Sequence, residues 1–193
     1  VDADKGNGAF SRIAPEMNFA EARPMNPAVT LRAYRTDDLA AVTQLYRETI
    51  HQVARGDYTQ EEVDAWAPSD PDYGRWRQKL GKQTVVVAEL DGEVVGFCSW
   101  DATGYLDFLY VHHAHQRQGI ASMLYASAES ALRGAARQRI HSQVSLTAQP
   151  FFLAQGFHVV EHQKVNVGGV DLPNAVMEKP LAPGDEPTNG KQG

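Results

Sequence analysis

The chain has 193 residues, 42% hydrophobic and 22% charged, with a formal net charge of −6. That length supports one domain with a sizeable core, and the composition is that of a globular protein. The acidic balance argues against a nucleic-acid surface, no apolar run reaches membrane-span length, and the single cysteine, Cys98, has no internal disulfide partner.

The expected location is cytoplasmic, with neither nucleic acid nor membrane among the partners. Residues 1–28 are rich in Gly, Ala, Asn, Pro and charge without a sustained period, and read as a tail; residues 182–193 read as a second. The first stretch carries no signal-peptide apolar region. The chain starts on Val1 rather than Met, so the start is expected to be either processed or not native, with Met17 and Met25 both possible natural starts. The domain is placed at 29–181.

Val29 to Arg35 alternates and predicts a first strand. Thr36-Asp37-Asp38 offers an N-cap and acidic residues for a helix carrying Leu39, Val42, Tyr46, Thr49, Ile50 and Val53 on one face. Gly56-Asp57 ends it. Thr59-x-x-Glu62 matches a capping box and opens a short helix to about Trp66. Asp72 to Leu80 predicts another, with Tyr73 and Trp76. Thr84 to Leu90 is a buried-strand run, Asp91-Gly92 is a hairpin turn, and Val94 to Trp100 returns antiparallel. Tyr105 to Val111 is the fourth strand.

The segment after it organises the chain. Val111-His-His-Ala-His-Gln-Arg-Gln-Gly-Ile-Ala121 leads into a helix with Ile120, Met123, Leu124, Ala128, Ala131 and Leu132 at helical spacing. A helix start presents free N–H groups and a positive dipole end, which suit phosphate. Gly119 removes a Cβ there, and Ala121 keeps the next turn open. Ile140 to Leu146 predicts a fifth strand, parallel to the fourth because a helix connects them. A short helix with Pro150 in its first turn stops at Gly156, and Phe157 to Val167 and Val170 to Lys179 close a hairpin over Gly168-Gly169.

Gln116-Arg117-Gln118-Gly119-Ile120-Ala121 resembles the acyl-CoA motif of the GNAT superfamily of N-acyltransferases, Q/R-x-x-G-x-G/A. Ala148-Gln-Pro-Phe-Phe-Leu-Ala-Gln-Gly-Phe157 is similar to that family's short fourth helix. With both motifs, the resemblance covers about Val29 to Leu181. It implies an α/β fold with a mixed, mostly antiparallel sheet flanked by helices, in β-α-α-β-β-β-α-β-α-β-β order, where the stretch after the first helix holds a second short helix or a third. It also implies divergence of the fourth and fifth strands around the thioester arm. The segment from Thr49 to Pro68 resembles a YafP-type branch of the family.

The resemblance implies an acetyl-CoA-dependent N-acetyltransferase that passes the acetyl group directly to the amine of a small molecule. Gln116 to Ala121 would hold the pyrophosphate. Backbone amides of Leu109, Tyr110 and Val111 would meet the developing oxyanion, and Thr147, Phe151 and Phe152 would border the cofactor. His51 is one base candidate, its competing role being a helix-end histidine on terminal carbonyls. Asp107, mid-strand and placed on one face with Tyr105 and Leu109 by alternation, is the other. His51, Tyr58, Trp66 and Asp107 are the acceptor-site candidates.

Many family members carry a Tyr near the departing thiolate; alignment on Gly156-Phe157 puts Phe152 there. Tyr105, Tyr110 or water could protonate the thiolate, or no acid is needed. Thr147 could instead cap the short helix. His112, His113 and His115 lack a nearby Cys or matched acid, and neighbours in an extended chain point opposite ways, so no metal is expected. A monomer or homodimer is expected. The missing Tyr keeps open a non-catalytic acyl-CoA sensor or interaction module, and a protein lysine or N-terminal acetyltransferase is a further alternative.

Overall fold

The computed structural model describes residues 28–181. Both expected tails, Ala28 excepted, lie outside the described residues. The order is β1 (Thr30–Ala33), α1 (Leu39–Val53), α2 (Gln60–Trp66), α3 (Tyr73–Leu80), β2 (Thr84–Leu90), β3 (Glu93–Trp100), β4 (Leu106–Val111), α4 (Ile120–Gly134), β5 (Arg139–Ser145), α5 (Gln149–Ala154), β6 (His158–Val167) and β7 (Val170–Pro180). Local chemistry explains most boundaries. Thr59 and Glu62 form the reciprocal capping box of α2, the Asp72 side chain accepts the Arg75 amide at the head of α3, and Gly119 caps α4 in the left-handed region. Thr36 does not cap α1. A 3-10 turn over Thr36–Asp38 precedes the helix, and Asp38 turns inward.

The strands form two antiparallel sheets, β1-β2-β3-β4 and β5-β7-β6. A single parallel bridge, Tyr105 with His141, joins them, so the expected mixed character is confined to one point. In β2, Val86 and Ala88 pack on the α4 side while Val85 and Val87 pack on the α1 side. Both faces are covered, which is why the strand reads as a continuous apolar run. Each of the three valines contributes roughly 1.5–3 kcal/mol by burial. A third cluster joins Ile50, Tyr58 and Val63 to Leu172 of β7. No helix among the described residues is long and apolar enough to cross a membrane.

The two sheets touch at one end and part at the other. The His141 amide donates to the Gly104 carbonyl at 3.0 Å, and the Ser142 hydroxyl to the Leu106 carbonyl at 2.7 Å. Beyond Leu106 no β4–β5 pairing follows among the described residues. Gly104 makes the closed end possible: its φ is +90°, and a Cβ there would sit 2.5 Å from the Arg139 carbonyl oxygen. Gly104→Ala is expected to lower stability by roughly 2–3 kcal/mol in urea denaturation. A loss below about 0.5 kcal/mol would mean that the closed end can yield.

Asp38 pins β1 to the entry of α1. It takes a two-pronged contact from Arg32 at 2.8 and 2.9 Å and the Arg35 amide at 2.6 Å. The Arg32 guanidinium, above all, holds its carboxyl below the usual carboxylate range. A depressed folded-state pKa gives stability that is present above the unfolded value near 4 and lost as pH falls through the folded value. Asp38→Asn should therefore destabilise at pH 7 and cost progressively less below about pH 4. A pH-independent cost would rule out the ion pair as its source.

Candidate active site

The parting of β4 from β5 opens two cavities that meet at the gap. The first, about 640 Å³, runs from Thr49 and Ile50 past Leu109 to Val111, along His115 to Ala121, and under α5. No Asp or Glu lines it, although the protein as a whole is acidic; Arg117 and His115 do. The Arg117 and Gly119 backbones are left-handed, with φ of 62° and 81°, and this bends the chain into α4. The Met123 amide is the first to bond back, to the Gly119 carbonyl at 3.0 Å. Among the described residues, the amides of Gly119, Ile120, Ala121 and Ser122 have no protein acceptor. Four free donors at a helix start, beside an acid-free groove, suit an anion.

The second cavity, about 700 Å³, lies across the gap. Tyr46, Tyr58, Trp76 and Phe108 contribute to its walls, and Val165–Gly168 of the closing hairpin lines one side. Trp66, Tyr110 and Ser145 line both cavities. Tyr110 and Ser145 are the hydroxyl-bearing residues common to both. Burial pushes the Tyr110 phenol well above its ordinary pKa. Tyr58 holds the arrangement together: its hydroxyl donates to the Pro173 carbonyl at 2.7 Å and accepts the Leu146 amide at 2.9 Å.

The backbone of β4 refines the expectation for Leu109 to Val111. The His112 amide donates to the Val95 carbonyl at 2.9 Å. Antiparallel alternation then turns the Tyr110 amide toward β3, and those of Leu109 and Val111 toward the opened edge. Of these three amides, Leu109 and Val111 are the two turned to the gap.

Several other side chains sit differently from expectation. Asp107 is not on the face of Leu109. Ser99 pairs with Phe108 and Trp100 with Leu106, so Asp107 is the extra residue of a β-bulge. It therefore joins Tyr105, Phe108 and Tyr110 on the second cavity, while Leu109 lines the first. Its Oδ2 meets Lys79 Nζ at 3.0 Å and accepts from the Gln83 side-chain Nε2 at 2.5 Å; Oδ1 has no hydrogen bond among the described residues. His51 lines neither cavity. Its Nε2 donates to the Ala67 carbonyl at 2.8 Å, which ties α1 to the end of α2. Tyr105 lines the second cavity only, its phenol pushed up to about 12 by burial.

Thr147 lines the first cavity but bonds Asp57 at 2.7 Å; Ser145, not Thr147, caps the turn into α5. Phe151 and Phe152 line the same cavity, and Phe152 packs on Phe157 with ring centroids 5.0 Å apart. Gln118 is the one residue of Gln116–Ala121 that does not line the groove.

The histidines also differ. The chain leaves the extended path at His112, bringing the His112 and His113 rings to 4.2 Å, and Glu48 of α1 supplies an acidic partner 3.2 Å from His112 Nε2. Ligand atoms of Glu48, His112 and His113 lie within 4.8 Å of one another and could hold a metal. The Ala114 amide faces His112 Nδ1 at 3.3 Å, which keeps the neutral ring's proton on Nε2, where a metal would need the lone pair. Cys98 is fully buried in β3, its thiol pushed up by burial.

Residues 54–179 match the family described as the Acetyltransferase (GNAT) domain. The chain belongs to the GNAT family of N-acetyltransferases. It is 32% identical over 149 residues to the uncharacterized N-acetyltransferase YafP of Escherichia coli (strain K12), covering 77% of this chain and 94% of that one. A GCN5-related N-acetyltransferase from Rhodopseudomonas palustris superposes with a TM-score of 0.77 at 28% identity, over 79% of this chain and 95% of that one. The Salmonella typhimurium yncA protein, solved with its cofactor acetyl-CoA, gives 0.59 at 25% identity, over 84% and 99%. This GNAT protein is thus an acyltransferase. The residue that did not emerge from the sequence is Arg47, on the second cavity.

Proposed function

We propose that the protein transfers an acetyl group from acetyl-CoA, seated in the first cavity, to the amine of a small molecule held in the second. The observation that carries this is the row of unpartnered amides from Gly119 to Ser122 at the head of an acid-free groove that opens, past Tyr110, onto an aromatic chamber. The amine attacks the thioester carbonyl, the oxyanion meets the Leu109 and Val111 amides, and the coenzyme leaves as thiolate. Phe152 has no proton to give, so the Tyr110 or Ser145 hydroxyl, or water, takes that role. Asp107, with Oδ1 unpartnered on the acceptor cavity, is the base candidate; His51, bonded to Ala67 outside both cavities, is not. The small-molecule reading rests on the chamber's walls, which close in from α2, α3 and the β6–β7 hairpin.

Calorimetry with acetyl-CoA, followed by thiol release with an amine panel, is the test. Acetyl-CoA should bind, and Asp107→Asn should lower kcat by roughly a hundredfold while acetyl-CoA affinity stays the same. Binding without thiol release for any amine would favour a sensor, the reading that Phe152 supports. Turnover on peptide amines alone would move the acceptor to protein.

A further inference from the structure

The second cavity presents six charged side chains: Arg47, Arg75, Lys79, Asp70, Asp72 and Asp107. Two of the acids are already engaged. Lys79 meets Asp107 at 3.0 Å, and Asp72 receives the Arg75 amide at 2.9 Å. Arg47 is different. It projects from the same face of α1 as Thr43 and Tyr46, its guanidinium has no hydrogen bond or ion pair among the described residues, and its Nε is buried without a partner. A buried, unpaired guanidinium donor is costly unless something fills the cavity and accepts from it.

Asn174 Oδ1 is likewise buried, unpartnered and on this cavity wall. Its residue stands opposite Ser145 in the β5–β7 register, next to the gap between the cavities. The cavity therefore offers an unmet cationic donor on α1 and an unmet neutral acceptor near the transfer point. An N–H of the attacking amine matches the second. An anionic oxygen pair matches the first, because a guanidinium fork fits a carboxylate.

From Arg47 and Asn174 on one cavity wall, we propose that the acceptor is an amine that also carries a carboxylate, with the carboxylate held by Arg47 and the amine turned toward Asn174 and the gap. This rests on the second cavity being the acceptor site. A doubly charged phosphate fits less well, since Asp70, Asp72 and Asp107 share the same walls. The aromatic walls accommodate an apolar body between the two polar ends.

The test is calorimetry on the coenzyme A-saturated protein with matched pairs that differ by one carboxylate: para-aminomethylbenzoate against benzylamine, and phenylalanine against phenethylamine. The carboxylated member of at least one pair should bind about tenfold or more tightly. Arg47→Ala should erase that difference with coenzyme A affinity unchanged, and Arg47→Lys should keep part of it. Equal affinity within both pairs overturns the proposal, as does a preference that survives Arg47→Ala, or no binding of either carboxylated amine at millimolar concentration. Tighter binding of the phosphonate counterpart of para-aminomethylbenzoate overturns the carboxylate assignment. Binding is read without turnover, so failure of acetyl transfer itself would appear separately, as absent thiol release with the anion preference intact.

Discussion

Ser122→Glu is expected to weaken coenzyme A binding by roughly ten- to a hundredfold without destabilising the protein. Ser122 is exposed in the first turn of α4, lines the cofactor groove, and has an amide with no protein acceptor. A carboxylate there would stand beside the pyrophosphate and repel it. The same carboxylate complements the positive end of the helix dipole, worth about 0.3–1 kcal/mol of stability. Affinity and stability should thus move in opposite directions, which separates an anion seat from a general packing role. The binding penalty should shrink with added salt, because screening acts on exposed charges. An unchanged dissociation constant would remove this bend as the diphosphate site. Gly119→Glu is a poorer probe, since φ at 81° would strain any side chain.

Tyr58→Phe is expected to cost about 3 kcal/mol in stability, although the ring is kept. The ring is 6% exposed, and its hydroxyl satisfies a carbonyl of β7 and the amide that follows β5. Without it, two backbone groups of the cavity wall lose their partner at once, at about 1–3 kcal/mol each when buried. Urea denaturation measures the loss. Less than about 1 kcal/mol would mean that water enters and replaces the hydroxyl. Because Leu146 adjoins Ser145, which lines both cavities, the variant should also raise the KM for the amine.

The element order was legible because its causes are local. The apolar run of β2, the Thr59–Glu62 box and the Gly119 bend each depend on residues a few positions apart. The bend that lines the first cavity was legible for the same reason: a strand end, a glycine bend and a helix start are contiguous in the chain. The acceptor side was not. Asp107 changed faces because one extra residue entered β4 opposite Ser99 and Trp100, and alternation in the sequence is blind to a bulge. His51 took its partner from Ala67, and His112 from Glu48, across helix contacts that no local pattern encodes.

The sequence by itself determined the secondary structure, the family and the glycine bend ahead of α4, since periodicity and turn chemistry act over one or two turns of chain. Only the tertiary structure decided which strand edge parts, which residues border both cavities and which arginine stands unpaired, among the described residues, on the wall of the second cavity. Those depend on register and helix packing between residues as far apart as Tyr58 and Pro173, where a shift of one position exchanges cavity for core.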